Sequence, residues 1–237
     1  KNFFYKFLLS NLKYFICMRI YTKKQLRKKY RVKGSKIYDL HNSIKFRKVN
    51  PKQSKFKSLV TVARLDKKEK YKGVDETLEA ISNIKNKNFN YYILGDGDDK
   101  SRLISKAKKL KIDDYVFFLG IVSNQKRDNI LNNSHILVMP GSDKTFDTYP
   151  FRFIFLEAAE YGLHIIGSRS PDRNENLYQK KYSCLNLVDP KNRSNIVKKI
   201  KELLTKEKKI SYKIKKDFSI LNFEKELNKI VKGVLIK

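Results

Sequence analysis

From residue 58 onward, apolar positions alternate between two rhythms. Ser58–Ala63 (SLVTVA) is a near-continuous β-branched run, as expected of a strand buried on both faces. Val74, Leu78, Ile81 and Ile84 then recur at helical spacing over Val74–Ile84. The same exchange repeats down the chain. Strands are predicted at Phe89–Leu94, Tyr115–Leu119, His135–Met139, His164–Gly167 and Cys184–Val188, with helices at Ser101–Leu110, Asn124–Leu131, Phe153–Tyr161 and Ser194–Leu204 between and after them. A last helical pattern covers Asn222–Ile236. Strands alternating with helices through short connections predict an α/β fold with a doubly wound, Rossmann-like parallel sheet, because parallel neighbours need crossovers and helices supply them.

The first fifty residues are less regular. Aromatic and basic residues alternate without a strong strand pattern, a basic helix is expected over Thr22–Tyr30, and Lys36–Leu40 is a strand candidate. A Lys-rich connection opened by Pro51 follows. The expected division is therefore residues 1–50, a Rossmann-like unit over 51–215, and a terminal helix over 216–237.

Composition narrows the picture. The chain has 237 residues, 12% of them aromatic, enough to offset ordering entropy in a real core. Its formal charge of +30, from 54 Lys+Arg against 24 Asp+Glu, would suit a polyanion such as a phosphorylated substrate, an anionic membrane or nucleic acid. The abundance of Lys, Asn, Ile, Tyr and Phe also matches the residue usage of an AT-rich genome, which is taken as the larger cause. A nucleic-acid function lacks a recognition motif or a one-sided basic helix. Cys17 and Cys184 form neither a disulfide framework nor a zinc pattern, which favours a reducing, cytoplasmic compartment. The stretch Phe3–Ile20 is interrupted by Lys6, Asn11, Lys13 and Arg19, too often to span a membrane.

In doubly wound sheets ligands bind beyond the carboxyl ends of the strands. The loop after the first strand reads ARLDKKEKYKG, with Arg64 at the strand end and Lys72 just before the glycine that opens a helix, a plausible diphosphate clamp. LGDGD after the second strand reads first as a turn built on Gly95 and Gly97, and as a ligand loop second. Glu157 sits on an otherwise apolar helix, where an unpaired carboxylate would be costly, so it is expected to meet partners such as ligand hydroxyls. Glu160 reads as a solvated helix end, and His135 and His164 as packed strand-edge residues. No Ser/His/Asp set, paired catalytic carboxylates or Cys nucleophile emerges.

Taken in order, VARLDKKEKYKGVDETLEA, YYILGDGDDKSRL, DDYVFFLGIV, ILVMPGS, FRFIFLEAAEYGLHIIGS and LNLVDP resemble the C-terminal domain of glycosyltransferase family 4 over roughly residues 30–235. These are retaining, nucleotide-sugar-dependent enzymes of the glycosyltransferase-B fold, so the resemblance implies the C-terminal half of that fold, with a remnant of the N-terminal acceptor domain ahead of it and a longer parent protein. It also implies sugar transfer from a nucleotide sugar to a glycan or lipid-linked acceptor of the cell-surface polysaccharide type, with no metal or other cofactor, on the inner face of a membrane or in the cytoplasm. Arg64 and Lys72 match the residues that hold the donor diphosphate, Glu157 the one that binds ribose, and Ile121 the region along the base. The segment Pro150–Phe153, with Phe151, Arg152 and Phe153, matches the loop whose backbone approaches the donor sugar and phosphate, and Tyr149 and Gly95 are counted with the substrate-binding residues. Where the family has a first glutamate, eight residues before Glu157, this chain has Tyr149, and Pro150 and Arg152 replace two glycines. A changed loop in which Asp147 substitutes, a donor sugar bound differently, or a non-catalytic nucleotide-sugar-binding module are all compatible with that replacement.

Overall fold

The computed structural model describes residues 2–17, 23, 26–33, 36–54, 56–85, 88–141, 152–169 and 175–235. Six strands form one parallel sheet: β3 (Lys57–Val62), β4 (Phe89–Leu94), β5 (Val116–Gly120), β6 (Ile136–Met139), β7 (His164–Ser168) and β8 (Leu185–Val188). They lie in the order β5-β4-β3-β6-β7-β8, so the chain starts in the middle, winds outward, then returns across β3 and winds the other way. The register is set by pairs such as Leu59 with Tyr91 on one side of β3 and Leu59 with Ile136 on the other.

Successive residues on these strands go to opposite faces, and both faces are buried. Leu59, Tyr91, Ile93, Ile136 and Val138 pack under α2 (Val74–Ser82), α3 (Lys100–Lys109) and α7 (Arg193–Leu204). Val60, Leu94, Leu137, Met139 and Ile165 pack against α4 (Asn124–Asn133), α5 (Phe153–Glu160) and α8 (Tyr212–Asp217). This is why the strands read as near-continuous apolar runs rather than as alternating ones. The one hydroxyl in the middle of β3 is satisfied: Thr61 Oγ1 is 2.7 Å from the Tyr91 hydroxyl and donates to the Val138 carbonyl, tying three strands together.

Ahead of the sheet, α1 (Asn2–Ser10) and β1 (Tyr14–Cys17) occupy a stretch for which the sequence had suggested no regular strand, and β1 pairs in parallel with β2 (Lys36–Asp39). Of the basic helix expected over residues 22–30, residues 23 and 26–28 are helical, while 22, 24 and 25 lie outside the described residues. A 3₁₀ helix (Lys67–Lys72), α6 (Glu175–Lys181) and α8 were likewise not anticipated. The terminal helix, α9, runs from Ile220 to Leu235. No described helix is long and apolar enough to cross a membrane.

Local capping explains where several helices begin. Asn192 caps α7, its side-chain oxygen accepting from the Asn195 amide at 2.9 Å. Asn192→Ala is expected to lower the stability of the chain by about 1 kcal/mol, read as a lower urea midpoint at constant slope; an unchanged midpoint would contradict the capping role.

Candidate functional site

The winding direction reverses between β3 and β6, and a cleft of about 610 Å³ opens beyond the carboxyl ends of these strands and of β4 and β5. Its walls include Ala63, Arg64, Lys72, Gly95, Ile121, Val122, Arg127, Met139, Arg152 and Phe153. Six of the residues singled out from the sequence (Arg64, Lys72, Gly95, Ile121, Arg152 and Phe153) therefore meet at one place, although they span 90 positions of the chain.

Each is held there by a local requirement. Arg64 follows β3 directly, and its side chain is 73% exposed, with Nη1 3.9 Å from Asp66 Oδ2. Lys72 ends the 3₁₀ helix and is followed by Gly73, which starts α2 in a left-handed conformation, φ +84°. A Cβ on Gly73 would lie 2.6 Å from the Pro140 nitrogen, so only glycine lets the segment leaving β6 approach the start of α2 this closely. Gly95, at φ +126°, donates its N–H to Gly120 at 2.8 Å, and a Cβ there would fall onto the Ala63 carbonyl. That geometric demand explains Gly95 by itself, while leaving its backbone in the cleft wall. Ile121 is 86% exposed at the rim. Arg152 adopts an extended conformation immediately before α5, with its guanidinium 5.5 Å from the centre of the Phe155 ring. Tyr149 and Phe151, with Asp147 and Pro150, lie outside the described residues.

Glu157 is not among the side chains that line the cleft. It reaches the cleft through Arg127, whose Nη2 is 3.6 Å from Glu157 Oε2. Burial pushes the Glu157 carboxyl up from its ordinary range, and Arg127 opposes that shift. The partner expected for this carboxylate thus exists within the protein, in a residue the sequence had not singled out.

Glu160 corrects a second expectation. It is 1% exposed rather than solvated, and Arg47 encloses it: the Arg47 backbone N–H donates to Oε1, and Nε and Nη2 donate to Oε2 at 3.1 and 2.7 Å. Arg47 also donates to Asp128 at 2.5 Å and to the Tyr161 hydroxyl at 2.7 Å. Glu157 and Glu160 are three positions apart on α5, so one helix carries both carboxylates into a set of charges with Arg127, Asp128 and Arg47. His135 is fully buried, its Nδ1 accepting from the Ser58 amide at 3.4 Å, and burial pulls its pKa down to about 4. It and His164, whose Nε2 is 3.1 Å from the Glu207 carbonyl, are packing residues, as read from the sequence.

A parallel sheet in this strand order with its cleft at the reversal is a Rossmann-like unit, the architecture of the C-terminal half of the glycosyltransferase-B fold. The chain belongs to the glycosyl transferases group 1 family, whose profile matches residues 42–217. Among solved structures it is similar to a glycosyltransferase from Rickettsia africae (17% identity, TM-score 0.76, covering 98% of this chain and 67% of that one). It is also similar to the lipopolysaccharide outer core galactosyltransferase WaaB (19% identity, TM-score 0.74, 93% of this chain and 62% of that one). A third is Anabaena HepE, solved in complex with UDP and glucose (12% identity, TM-score 0.70, 92% of this chain and 62% of that one). The chain thus spans about two thirds or less of the length of these structures. No curated protein sequence matches it.

Proposed function

We propose that this chain is the donor-binding half of a retaining glycosyltransferase of family 4 type, moving a sugar from a nucleotide sugar to a glycan or lipid-linked acceptor in cell-surface polysaccharide assembly. The observation that carries this reading is the convergence of Arg64 and Lys72 on the switch-point cleft. As the bond between the sugar and the diphosphate breaks, negative charge grows on the departing nucleoside diphosphate, and two fixed cations stabilise that charge most where it is greatest. Ile121 packs along the base, Glu157 accepts from the ribose hydroxyls, and Arg152 and Phe153, with Tyr149 and Phe151, approach the sugar and phosphates. Charge neutralisation is assigned to side chains, with no metal. Residues 1–50 belong with an acceptor domain, residues 51–215 bind the donor, and residues 216–237 return toward that acceptor domain. The protein works in the cytoplasm, at the inner face of an anionic membrane, to which its +30 charge gives affinity.

A second reading has one specific observation behind it. Tyr149 and Pro150 stand where the resemblance expects glutamate and glycine, and proline offers no N–H to a ligand. In that reading the chain binds nucleotide sugar without turning it over. Incubating the protein encoded by the complete open reading frame with UDP-sugars and lipid or glycan acceptors separates the two. Acceptor-dependent UDP release is expected. Tight UDP binding without release would favour the non-catalytic module, and failure to bind any nucleoside diphosphate would overturn both.

A further inference from the structure

We propose that Arg127, on the cleft wall, is a positioning residue of the donor site, which by pairing with Glu157 behind it holds that carboxylate in place as an acceptor for the donor's ribose hydroxyls. The inference rests on the ribose-binding reading of Glu157 given above. Arg127 occupies the first turn of α4, lines the cleft, and places Nη2 3.6 Å from both Glu157 Oε2 and Asp128 Oδ1. Its Nε is buried and has no hydrogen-bond partner among the described residues, so the guanidinium is held there chiefly by charge.

The groups facing Glu157 come from three elements. Arg127 and Asp128 belong to α4, Arg47 to the segment before β3, and Glu160 to the same helix as Glu157. Two of these are carboxylates and repel a charge on Glu157. Of the two cations, Arg47 is already engaged by Glu160 and Asp128, at 2.7 and 2.5 Å. Arg127 is therefore the cation given to Glu157. Burial, Asp128 and Glu160 all favour the protonated acid, and Arg127 is the largest influence in the other direction. A carboxylate accepts a hydroxyl hydrogen bond more strongly than a carboxylic acid does, so the protonation state of Glu157 sets how firmly ribose is held.

The sign follows. Ribose binding requires the charged form, so affinity is present above the Glu157 pKa and falls as pH drops through it. Taking away Arg127 raises that pKa, and the fall begins at higher pH. The test uses the full chain and UDP, GDP and ADP as probes, carrying the tightest through calorimetric titrations from about pH 5 to pH 8. Arg127→Leu is expected to move the acid limb of affinity upward by about half to one pH unit, because the pair is partly solvated. Arg127→Lys keeps the parent limb, and inorganic pyrophosphate, which has no ribose, binds parent and variant alike. The probe's own phosphate titration is common to all variants and cancels in the ratio.

An Arg127→Leu limb that coincides with the parent's overturns the inference, as does an affinity loss equal at every pH, which is the mark of a merely structural role. Glu157→Gln distinguishes the two levels of the argument. If it weakens nucleotide binding and flattens the acid limb, the ribose reading stands and Arg127→Leu decides the inference alone. If it binds nucleotide like the parent, or if no probe binds the parent chain, the ribose reading fails and the inference falls with it.

Discussion

Arg47→Leu is expected to destabilise the chain by about 3 kcal/mol, near the lower end of what breaking a buried ion pair costs, because Arg47 is itself half exposed. The size of the effect comes from Glu160 rather than from Arg47. The Glu160 side chain is 2% exposed, and its Oε2 accepts from two nitrogens of the guanidinium. In the variant the backbone N–H of residue 47 still serves Oε1, but the charge has lost its counter-ion and stays buried. The double variant Arg47→Leu/Glu160→Ala removes the buried charge, leaves the partly exposed Asp128 with Arg127 at 3.6 Å, and is expected to recover more than half of the loss. Urea unfolding at unchanged slope measures both. A single variant as stable as the parent, or a double variant less stable than the single, would show that the pair does not hold this seam.

The second large effect concerns the cleft. Arg64→Ala and Lys72→Ala are each expected to weaken nucleoside diphosphate binding by about tenfold to a hundredfold, the range for a charge-assisted hydrogen bond, and the double variant by about a thousandfold. Arg64 is largely exposed, so its removal leaves the core untouched and the thermal midpoint of that variant should match the parent's. An uncharged nucleoside, which presents no phosphate, should bind all three variants equally. Binding to the parent should weaken with added salt, because exposed cations are screened. A double variant with parent-like diphosphate affinity would remove both residues from the site.

How far the sequence carried depends on how local the deciding physics is. Phe89–Leu94 was legible to the residue because a strand covered on both faces is apolar at nearly every position, Asn90 being the exception, and it ends in a turn of glycines. Strand ends in such a sheet mark the mouth of a cleft, so Arg64 and Lys72 could be placed in its wall from the sequence, whereas Gly95 read first as a turn residue and Ile121 was placed by the family resemblance. β1 (YFIC) was not: it has four residues, two of them exposed, and owes its conformation to pairing with β2, some twenty residues later. The 3₁₀ helix over KKEKYK has no apolar rhythm to read. Arg127 looked like one more surface cation, since α4 is strongly polar and its partner Glu157 comes thirty positions later. Glu160 was misread for the same reason, its partner lying 113 positions earlier. A glutamate beside Ala158, Ala159 and Tyr161 did carry a warning, because those neighbours are core residues, and the demand for a partner made of Glu157 applied to it equally.

The helix α5 has almost no face to spare. Among its eight residues Phe155, Leu156, Ala158, Ala159 and Glu160 are buried, Phe155 lies against Gly167 of β7, and Glu157 is committed to Arg127. Mutational drift there meets a packing or charge penalty almost wherever it lands. On the proposed function, room for a taste for a different sugar or base is left to those parts of the connecting segments around the cleft that, unlike Gly73 and Gly95, have no backbone pressed against a neighbour.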